Sequence, residues 1–208
     1  MTANLGGVNV SRETIQDLEA FASLVAKWTP KINLIAKGSV ADIWGRHVID
    51  SVQLYQYAPK TYEKWVDLGS GGGFPGIVMA IIAKEKHPKA QFTLIESDQR
   101  KAVFLRTAAR ELGLSVTVIA DRIENTAPQT ADVVSARALA SLSSLLPLAH
   151  RHMCDGGICL LHKGKQAAQE VADAQEDWSF DLEDHASFTD PEARLLVIQR
   201  ISARATQS

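Results

Sequence analysis

A glycine-dense turn between an apolar strand and an apolar helix constrains this chain more than any other feature. Residues 65–76 read Trp-Val-Asp-Leu-Gly-Ser-Gly-Gly-Gly-Phe-Pro-Gly, and the apolar run 77–83 follows at once. Glycines adopt positive φ and let a ligand approach the main chain. The free N–H groups at the start of the next helix attract an anion. A strand, a glycine turn and a helix in this order predict a nucleotide-binding βα unit.

The glycine turn by itself leaves the ligand open. Gly71, Gly73 and Gly76 match the dinucleotide pattern G-x-G-x-x-G. Glu96 follows about twenty residues later, where that pattern places an acid. A turn that binds nothing would carry the same glycines. Asp67 favours S-adenosylmethionine, because a carboxylate there can hold the turn and face a cationic amino-acid group, whereas it would repel a pyrophosphate.

Downstream of residue 60 the hydrophobic pattern alternates between strands and helices. The predicted strands are 65–68, 91–96, 115–120, 131–135 and 156–163, and the predicted helices are 74–86, 99–112 and 141–152. This alternation predicts an α/β, Rossmann-like fold with a mostly parallel sheet and helices on both faces. Strand-like runs at 178–185 and 194–201 predict a C-terminal antiparallel hairpin.

The first sixty residues have a helical pattern instead. Ser11 suits an N-cap for a helix through Val25, and residues 43–57 read as a second amphipathic helix that Pro59 ends. We therefore expect an N-terminal helical extension at 1–60, packed on a core at 61–208.

Polar residues follow each central strand, at the edge of the sheet where such folds bind ligands. They are Asp67 and Gly69, Glu96 to Asp98, Asp121 to Glu124, Ser135 to Arg137, and Lys163 to Lys165. Glu96 can accept both ribose hydroxyls, or it can cap the next helix. The turn at 121–124 can offer an N–H and a carboxyl group to adenine, or it can be a solvated loop.

Composition narrows the class of protein. The 208 residues are 46% hydrophobic and 22% charged, enough for one core, and the net charge of -2 argues against nucleic-acid binding through bulk charge. Cys154 and Cys159 lack metal-ligand spacing and are expected to be free thiols. The N-terminus lacks the pattern of a signal peptide, and the apolar run 77–83 is too short to span a bilayer. We expect a cytoplasmic protein that does not enter membranes.

Several motifs in order give the chain, from about residue 28 to residue 200, a resemblance to a known family. They are Trp28 to Ile35, Arg46 to Ser51 (Arg-His-Val-Ile-Asp-Ser), Phe74-Pro75-Gly76, Ser135 to Ala138, Lys163-Gly164 and Ala193 to Ile198. The chain resembles the bacterial 16S ribosomal RNA (guanine-N7)-methyltransferase family, RsmG, also called glucose-inhibited division protein B. Thr29 stands where that family usually has asparagine.

The resemblance implies a class I S-adenosylmethionine-dependent methyltransferase fold and cofactor contacts at five positions. These are Gly69, Phe74, Ile123, Glu124 and Arg137. Together with the strand-end argument, the predicted cofactor set is Asp67, Gly69, Gly71, Phe74, Glu96, Ile123, Glu124 and Arg137. The implied substrate is the guanine at position 527, in the 530 loop of 16S rRNA, within the small ribosomal subunit or its precursor. We expect a monomer.

Transfer of a methyl group to N7 needs little chemistry from side chains. Guanine N7 carries a lone pair and no proton, so no general base, nucleophile or metal is required. Positioning and electrostatics are expected to supply the catalysis, with Arg137 the favoured residue. His150 and His152 are two residues apart on a predicted helix and do not share a face, so no metal site is predicted there.

A local basic surface is expected to hold the RNA. Between residues 20 and 41 the only charged residues are Lys27, Lys31 and Lys37, with Trp28 among them, whereas 169–190 carries acids and no Lys or Arg. The predicted RNA contacts are Lys27, Lys31, Asn33, Arg46, His47, Lys163 and Lys165. His47 can instead be structural, with Arg46 and Asp50 paired at i, i+4.

Other functions remain open at the level of sequence. A nicotinamide-dependent oxidoreductase would need a proton relay, and no Tyr-x-x-x-Lys pattern is present. The intact set of Asp67, Glu96, Glu124 and Arg137 argues against the alternative of a non-enzymatic RNA-binding factor that keeps a relict cofactor fold. A methyltransferase that acts on another RNA is a further alternative.

Overall fold

The computed structural model describes residues 2–204, in which strands and helices alternate after the first helix. The strands are β1 (Thr2–Leu5), β2 (Val8–Ser11), β3 (Lys64–Leu68), β4 (Gln91–Ile95), β5 (Val116–Ile119), β6 (Ala131–Arg137), β7 (Met153–Lys163), β8 (Trp178–Ala186) and β9 (Arg194–Ala203). The α-helices are α1 (Arg12–Ile32), α2 (Asp50–Val52), α3 (Gly76–Lys86), α4 (Gln99–Glu111), α5 (Leu142–His152) and α6 (Ala167–Asp177).

A seven-stranded sheet with the order β5-β4-β3-β6-β7-β9-β8 organises the protein. Its first five strands in that order pair in parallel, and β9 runs antiparallel to both β7 and β8. The parallel sheet and the C-terminal antiparallel strands agree with the sequence prediction. From β3 the chain order runs outward through β4 and β5 on one side and through β6 and β7 on the other. Such sheets bind ligands at the point where the order reverses, next to β3.

Alternate side chains of β3 belong to two separate apolar clusters. Trp65 packs in one cluster with α1, α3 and α4, while Val66 and Leu68 pack in the other with α5 and residues of β6. Residues of α3 from Gly76 to Ala83 are all buried. A helix that is apolar all round fits this position, because α1 covers the side that faces away from the sheet.

Side chains of α1 and of the segment 37–57 share the first of these clusters with the sheet. The shared cluster supports the proposal of one compact unit, made of an extension at 1–60 and a core at 61–208. No helix described in the structure is both long and apolar enough to cross a membrane.

Two of the predicted helical segments differ from the sequence prediction. Helix α1 begins after the N-cap Ser11, as predicted, but continues past Val25 to Ile32. The segment 43–57 is helical without being one α-helix, since a π-helical stretch (Trp44–Ile49), α2 and a 3-10 turn (Gln53–Tyr57) follow one another.

The hairpin of β1 and β2 and the helix α6 were not predicted at all. The strands of the hairpin are only four residues long. Helix α6 buries only two alanines, so its hydrophobic pattern is weak. A short strand or a mostly exposed helix leaves little periodic signal in the sequence.

Candidate active site

A cavity of about 600 Å³ lies at the carboxyl ends of the parallel strands. Its lining combines the glycine turn, the ends of β4 and β6 and the loops that follow β5 and β6. The residues are Leu34, Gly69 to Gly72, Phe74, Ile95 to Ser97, Lys101, Asp121 to Glu124, Arg137 to Ala140, Ser144 and Leu148. Seven of the eight predicted cofactor residues are therefore brought together, and Asp67 is not among the lining residues.

The glycine turn is held by its own backbone and by the neighbouring strand. Ser70 N–H donates to Ile95 O at 3.1 Å, and Gly73 N–H donates to Ser70 O at 2.7 Å. Gly71 adopts a φ of 53°, which is left-handed and strained for other residues. At Gly76, a Cβ atom would lie 2.6 Å from Asp67 Oδ2. The start of α3 can approach β3 this closely only because Gly76 has no side chain.

Glu96 clasps the glycine turn from the end of β4. Its Oε2 accepts the Gly71 N–H at 2.7 Å, and its Oε1 accepts the Asp98 N–H at 2.8 Å. Glu96 is only 7% exposed. The cap of α4 is Asp98, whose side chain accepts from the N–H groups of Arg100 and Lys101. The helix-capping role considered for Glu96 therefore belongs to Asp98, and each Glu96 oxygen keeps a lone pair for a further donor.

Asp67 lies beneath the cavity as a structural support. Trp65 Nε1–H donates to Ser135 Oγ at 2.8 Å, and Ser135 Oγ–H donates to Asp67 Oδ1 at 2.7 Å. Burial raises the pKa of Asp67 to about 6, and the hydrogen bond from Ser135 opposes this rise. Its Oδ2 has no hydrogen-bond partner among the described residues. The carboxylate thus connects β3 to β6, the main-chain oxygen of Asp67 accepts the Ser70 Oγ–H of the turn at 3.0 Å, and the side chain is not exposed to the cavity.

The turn after β5 lines the cavity opposite the glycines. Ile123 is buried and Glu124 is exposed in a 3-10 turn that spans Ile123–Asn125. From below, His152 Nε2–H donates to Ile123 O at 3.2 Å, which fixes the position of the turn. The turn is therefore anchored to α5 and is more than a solvated loop.

His150 is exposed on the same helix and lies 6.3 Å from the ring centroid of Trp178, so the two histidines do point to different faces. Among residues 2–204, no group of three or more His, Cys, Asp or Glu side chains is arranged to hold a metal ion. Cys154 and Cys159 are both free, as expected, and Cys159 is buried.

Arg137 is a half-enclosed cation at the rim of the cavity. Its side chain is 18% exposed, and its Nη1 lies 3.2 Å from Asp50 Oδ2 in an ion pair. Its Nη2–H donates to His47 Nδ1 at 2.9 Å, and its guanidinium carbon lies 5.2 Å from the ring centroid of Phe74. Asp50 pairs with Arg137 and not with Arg46, the pairing considered as an alternative, and Arg46 is exposed and contributes only its carbonyl to the cluster, at 3.4 Å.

The contact with Arg137 fixes the protonation state of His47. A guanidinium has only donors, so His47 Nδ1 must be an acceptor and the ring hydrogen must be on Nε2. Burial lowers the pKa of His47 to about 4, and the charge of Arg137 lowers it further in the same direction. The imidazole is therefore neutral near pH 7. Its ring centroid lies 5.1 Å from that of Phe74, which lines the cavity.

The exposed lysines of the predicted RNA surface lie on α1. Lys27 and Lys31 are both exposed. Trp28, between them, packs against Phe104 with 5.6 Å between ring centroids, so it belongs to the core rather than to the surface.

Two polar residues near the end of α1 have local structural roles. Asn33 caps the helix in a left-handed conformation with a φ of 49°, which asparagine tolerates better than most residues. Thr29 is buried, and its hydroxyl donates to Val25 O at 2.7 Å. The side chain at position 29 therefore satisfies itself within the helix. Asn33 is exposed and remains a predicted RNA contact.

Lys163 corrects the sequence prediction. Its ammonium is buried, donating to Glu170 Oε2 at 2.7 Å and to Ala140 O at 2.6 Å. The charge is neutralised inside the protein, where it ties the loop after β6 to α6, and it does not face RNA. Lys165, two residues later, is exposed and remains a predicted contact.

Sequence reasoning missed two kinds of site residue. Leu34 and Leu139 line the cavity, and Leu139 covers Gly69 so closely that a Cβ there would lie 2.5 Å from Leu139 Cδ1. Asp50 is the counter-ion of Arg137. The motif at 46–51 contained Asp50 and was the one signal for it, while isolated leucines carry no signal of a ligand.

The sequence has close relatives along nearly its whole length. The sequence model of the family described as rRNA small subunit methyltransferase G matches residues 14–197. A curated protein from Ruegeria pomeroyi, named ribosomal RNA small subunit methyltransferase G, is 50% identical over 202 residues, covering 97% of this chain and 98% of that protein. A protein of the same name from Cereibacter sphaeroides is 52% identical, covering 94% of each chain.

Solved structures with low sequence identity share the fold. TYW2 from M. jannaschii, in complex with AdoMet, superposes with a TM-score of 0.56 at 14% identity, covering 82% of this chain and 78% of that one. A predicted O-methyltransferase from Agrobacterium tumefaciens gives a TM-score of 0.55 at 21% identity, covering 76% and 82%. These likenesses confirm the Rossmann-like class I methyltransferase fold.

Proposed function

Because the chain belongs to the rRNA small subunit methyltransferase G family, we propose that it methylates N7 of a guanine in the 530 loop of 16S rRNA. The methyl donor is S-adenosylmethionine, and the enzyme is an rRNA methyltransferase. The observation that carries the proposal is the clasp of the glycine turn by Glu96 at the mouth of the cavity. That clasp places a carboxylate, free backbone groups and Arg137 around one space.

The residues present fit S-adenosylmethionine. A cavity of about 600 Å³ is within the usual range for small-molecule sites. Glu96 retains lone pairs for the two ribose hydroxyls. The turn at Ile123 and Glu124 would hold the adenine, and Gly69, Gly71 and Phe74 would border the amino-acid part. Asp67 would act from below, by holding the turn in shape.

When bound, the cofactor supplies a methyl group on a positively charged sulfur, and an attacking lone pair can displace that sulfur from the methyl carbon directly. Guanine N7 carries such a lone pair and loses no proton, so the side chains need only orient the base and exclude water. Arg137 is paired with Asp50, and His47 is neutral. The rim therefore adds little net positive charge near a purine that becomes cationic on methylation. Such fixed charges and dipoles are the main source of electrostatic catalysis.

The RNA would approach from the side of α1 and the segment 37–57. Lys27, Lys31 and Arg46 are exposed there, and Asn33 lies at the end of α1. His47 connects this side to Arg137. Together with Lys165, these residues form the proposed RNA contacts, without Lys163. Phosphate contacts of this kind make binding weaken as salt rises. We further propose that the protein acts as a monomer on the small subunit or its precursor.

Mapping of N7-methylguanine in 16S rRNA tests the proposal. Cells that lack the protein should lose one modified guanine in the 530 loop, and a plasmid copy should restore it, whereas a Glu96→Gln copy should restore it poorly. Purified protein should transfer label from S-adenosylmethionine to free 16S rRNA or to 30S particles. An unchanged modification map in the deletion strain would contradict the proposed substrate.

A further inference from the structure

Asp50 is the centre of a buried polar network. The residue itself belongs neither to the glycine turn nor to the predicted cofactor set. The residue is 8% exposed, and it lies in α2, far in sequence from its partners in β6, β7 and the loop between β8 and β9. Four donors converge on its side chain and main chain: Arg137, Gln53, Thr189 and His162.

One carboxylate oxygen is fixed from the side of the loop between β8 and β9. Gln53 Nε2 gives one hydrogen to Asp50 Oδ1 at 2.8 Å and the other to Ser187 Oγ at 2.9 Å. Thr189 Oγ1–H also donates to Asp50 Oδ1 at 2.8 Å. The Ser187 hydroxyl must then donate to Thr189 Oγ1, at 2.9 Å, because the Thr189 hydrogen is already committed. Two of these hydrogens, from Gln53 and Thr189, are donated to Asp50 Oδ1, and Ser187 holds both of those donors in place.

The other oxygen faces Arg137. Asp50 Oδ2 is 3.2 Å from Arg137 Nη1. His162 Nε2–H donates to the main-chain oxygen of Asp50 at 2.8 Å, and burial lowers the pKa of His162. His162 therefore holds the backbone of Asp50, and its Nε2 also lies 3.6 Å from Asp50 Oδ2. The carboxylate has one orientation, and that orientation presents Oδ2 to the guanidinium.

Other contacts of Arg137 cannot replace this one. Arg46 O is 3.4 Å away, His47 Nδ1 is a neutral acceptor, and the Phe74 ring offers a face 5.2 Å from the guanidinium carbon. Hydrogen bonds to a charged acceptor are about twice as strong as those between neutral groups. Without Asp50, the guanidinium would be free to turn about its side-chain bonds towards solvent.

We propose that Asp50 is a positioning residue for methyl transfer, which acts through Arg137 by holding the guanidinium at the rim of the cavity. The proposal rests on the proposed function, in which Arg137 contacts cofactor or guanine. It also gives the loop between β8 and β9 a role, because Thr189 and Ser187 orient the carboxylate from outside the cavity. Asp50 itself is not among the residues that line the cavity.

A double-mutant cycle between Asp50 and Arg137 tests the proposal. Asp50→Asn keeps the shape but turns an amide or a neutral oxygen towards Arg137, and Arg137→Lys keeps the charge but loses the planar fork. Single-turnover methyl transfer on 30S particles should slow by about 10- to 100-fold in Asp50→Asn, as expected for a misplaced contact group. In the Arg137→Lys background the same change should slow it by less than about twofold, because coupled residues are not additive.

Binding of S-adenosylmethionine, measured by calorimetry without RNA, separates failure of this proposal from failure of the proposed substrate. Asp50→Asn and Arg137→Lys should weaken binding, and the double variant should be no weaker than the poorer single variant. This arm gives an answer even if no RNA is methylated. Equal losses from Asp50→Asn in both backgrounds, or wild-type rate and affinity in Asp50→Asn, would overturn the proposal.

Two further variants control for stability. Asp132→Ala removes a half-buried acid whose Oδ2 accepts the N–H groups of Glu63 and Lys64 at the opposite edge of the sheet, so it should lower Tm and leave rate and affinity unchanged. Thr189→Val keeps Asp50 and loosens only its orientation. It should slow transfer in the same direction by a smaller factor, and it provides the test if Asp50→Asn does not fold. A wild-type rate in a folded Thr189→Val variant, with Asp50→Asn unfolded, would also count against the proposal.

Discussion

Replacement of Glu96 by glutamine should weaken both the fold and the binding of the cofactor. The carboxylate accepts two backbone N–H groups, from Gly71 at 2.7 Å and from Asp98 at 2.8 Å, and it is 7% exposed. Glutamine has one acceptor oxygen, so its NH₂ group must face one of those donors. The variant therefore loses at least one charge-assisted hydrogen bond and leaves a buried N–H unpaired.

The expected size follows from these contacts. A hydrogen bond to a charged group contributes about 1.5–3 kcal/mol. For a domain of this length, each kcal/mol lowers Tm by about 2–4 °C. In the bound state the same residue is proposed to accept the ribose hydroxyls, so binding should weaken by about 10- to 150-fold, which corresponds to the same range of free energy.

Calorimetry with S-adenosylmethionine and a thermal melt measure the two effects. Asp98→Asn is the matched control, because Asp98 uses Oδ1 alone for the N–H groups of Arg100 and Lys101, and asparagine caps helices about as well as aspartate. This control should bind as the wild type does. A folded Glu96→Gln variant with affinity within twofold of the wild type would refute the reasoning about the clasp.

Three further predictions concern the turn, a buried pair and pH. Gly71→Val and Gly113→Val introduce similar left-handed strain, at φ values of 53° and 61°, and a Cβ at either position meets no atom closer than 3.7 Å. Calorimetry should show that only Gly71→Val loses cofactor binding. Lys163→Met should destabilise the protein by about 1.5–3 kcal/mol in urea titrations, because it removes the charged hydrogen bond between buried Lys163 and half-buried Glu170, and adding Glu170→Met should restore part of the loss. The pKa of His47 falls from 6.5 to about 4 on folding. Between these pH values His47 is protonated in the unfolded chain but not in the folded protein, so the stability of the fold should decrease as pH falls from 6.5 to 4. His47→Asn should flatten that decrease in urea titrations, and an unchanged slope would contradict the neutral state.

The sequence predicted the strands and helices that have a short hydrophobic period, and it predicted the site residues that belong to a short motif. The strands at 65–68, 91–96 and 156–163 agree with β3, β4 and β7 to within a few residues, because each is a short, mostly apolar run with polar residues or glycines at its ends. The polar groups at strand ends had to meet, since parallel strands place their carboxyl ends at one edge. Seven of the predicted cofactor residues accordingly line one cavity.

The sequence alone determined the fold class, the family and the edge of the sheet where the ligand site lies, because these depend on local pattern and on motifs along the chain. Only the tertiary structure decided which charges are exposed. Lys163 and Asp67 were both predicted as site residues, yet both are buried and hydrogen-bonded to partners from other strands and helices. Asp50 pairs with Arg137, 87 residues away, instead of with Arg46 on its own helix. Burial and distant pairing depend on how the elements pack, and no window of the sequence contains that information.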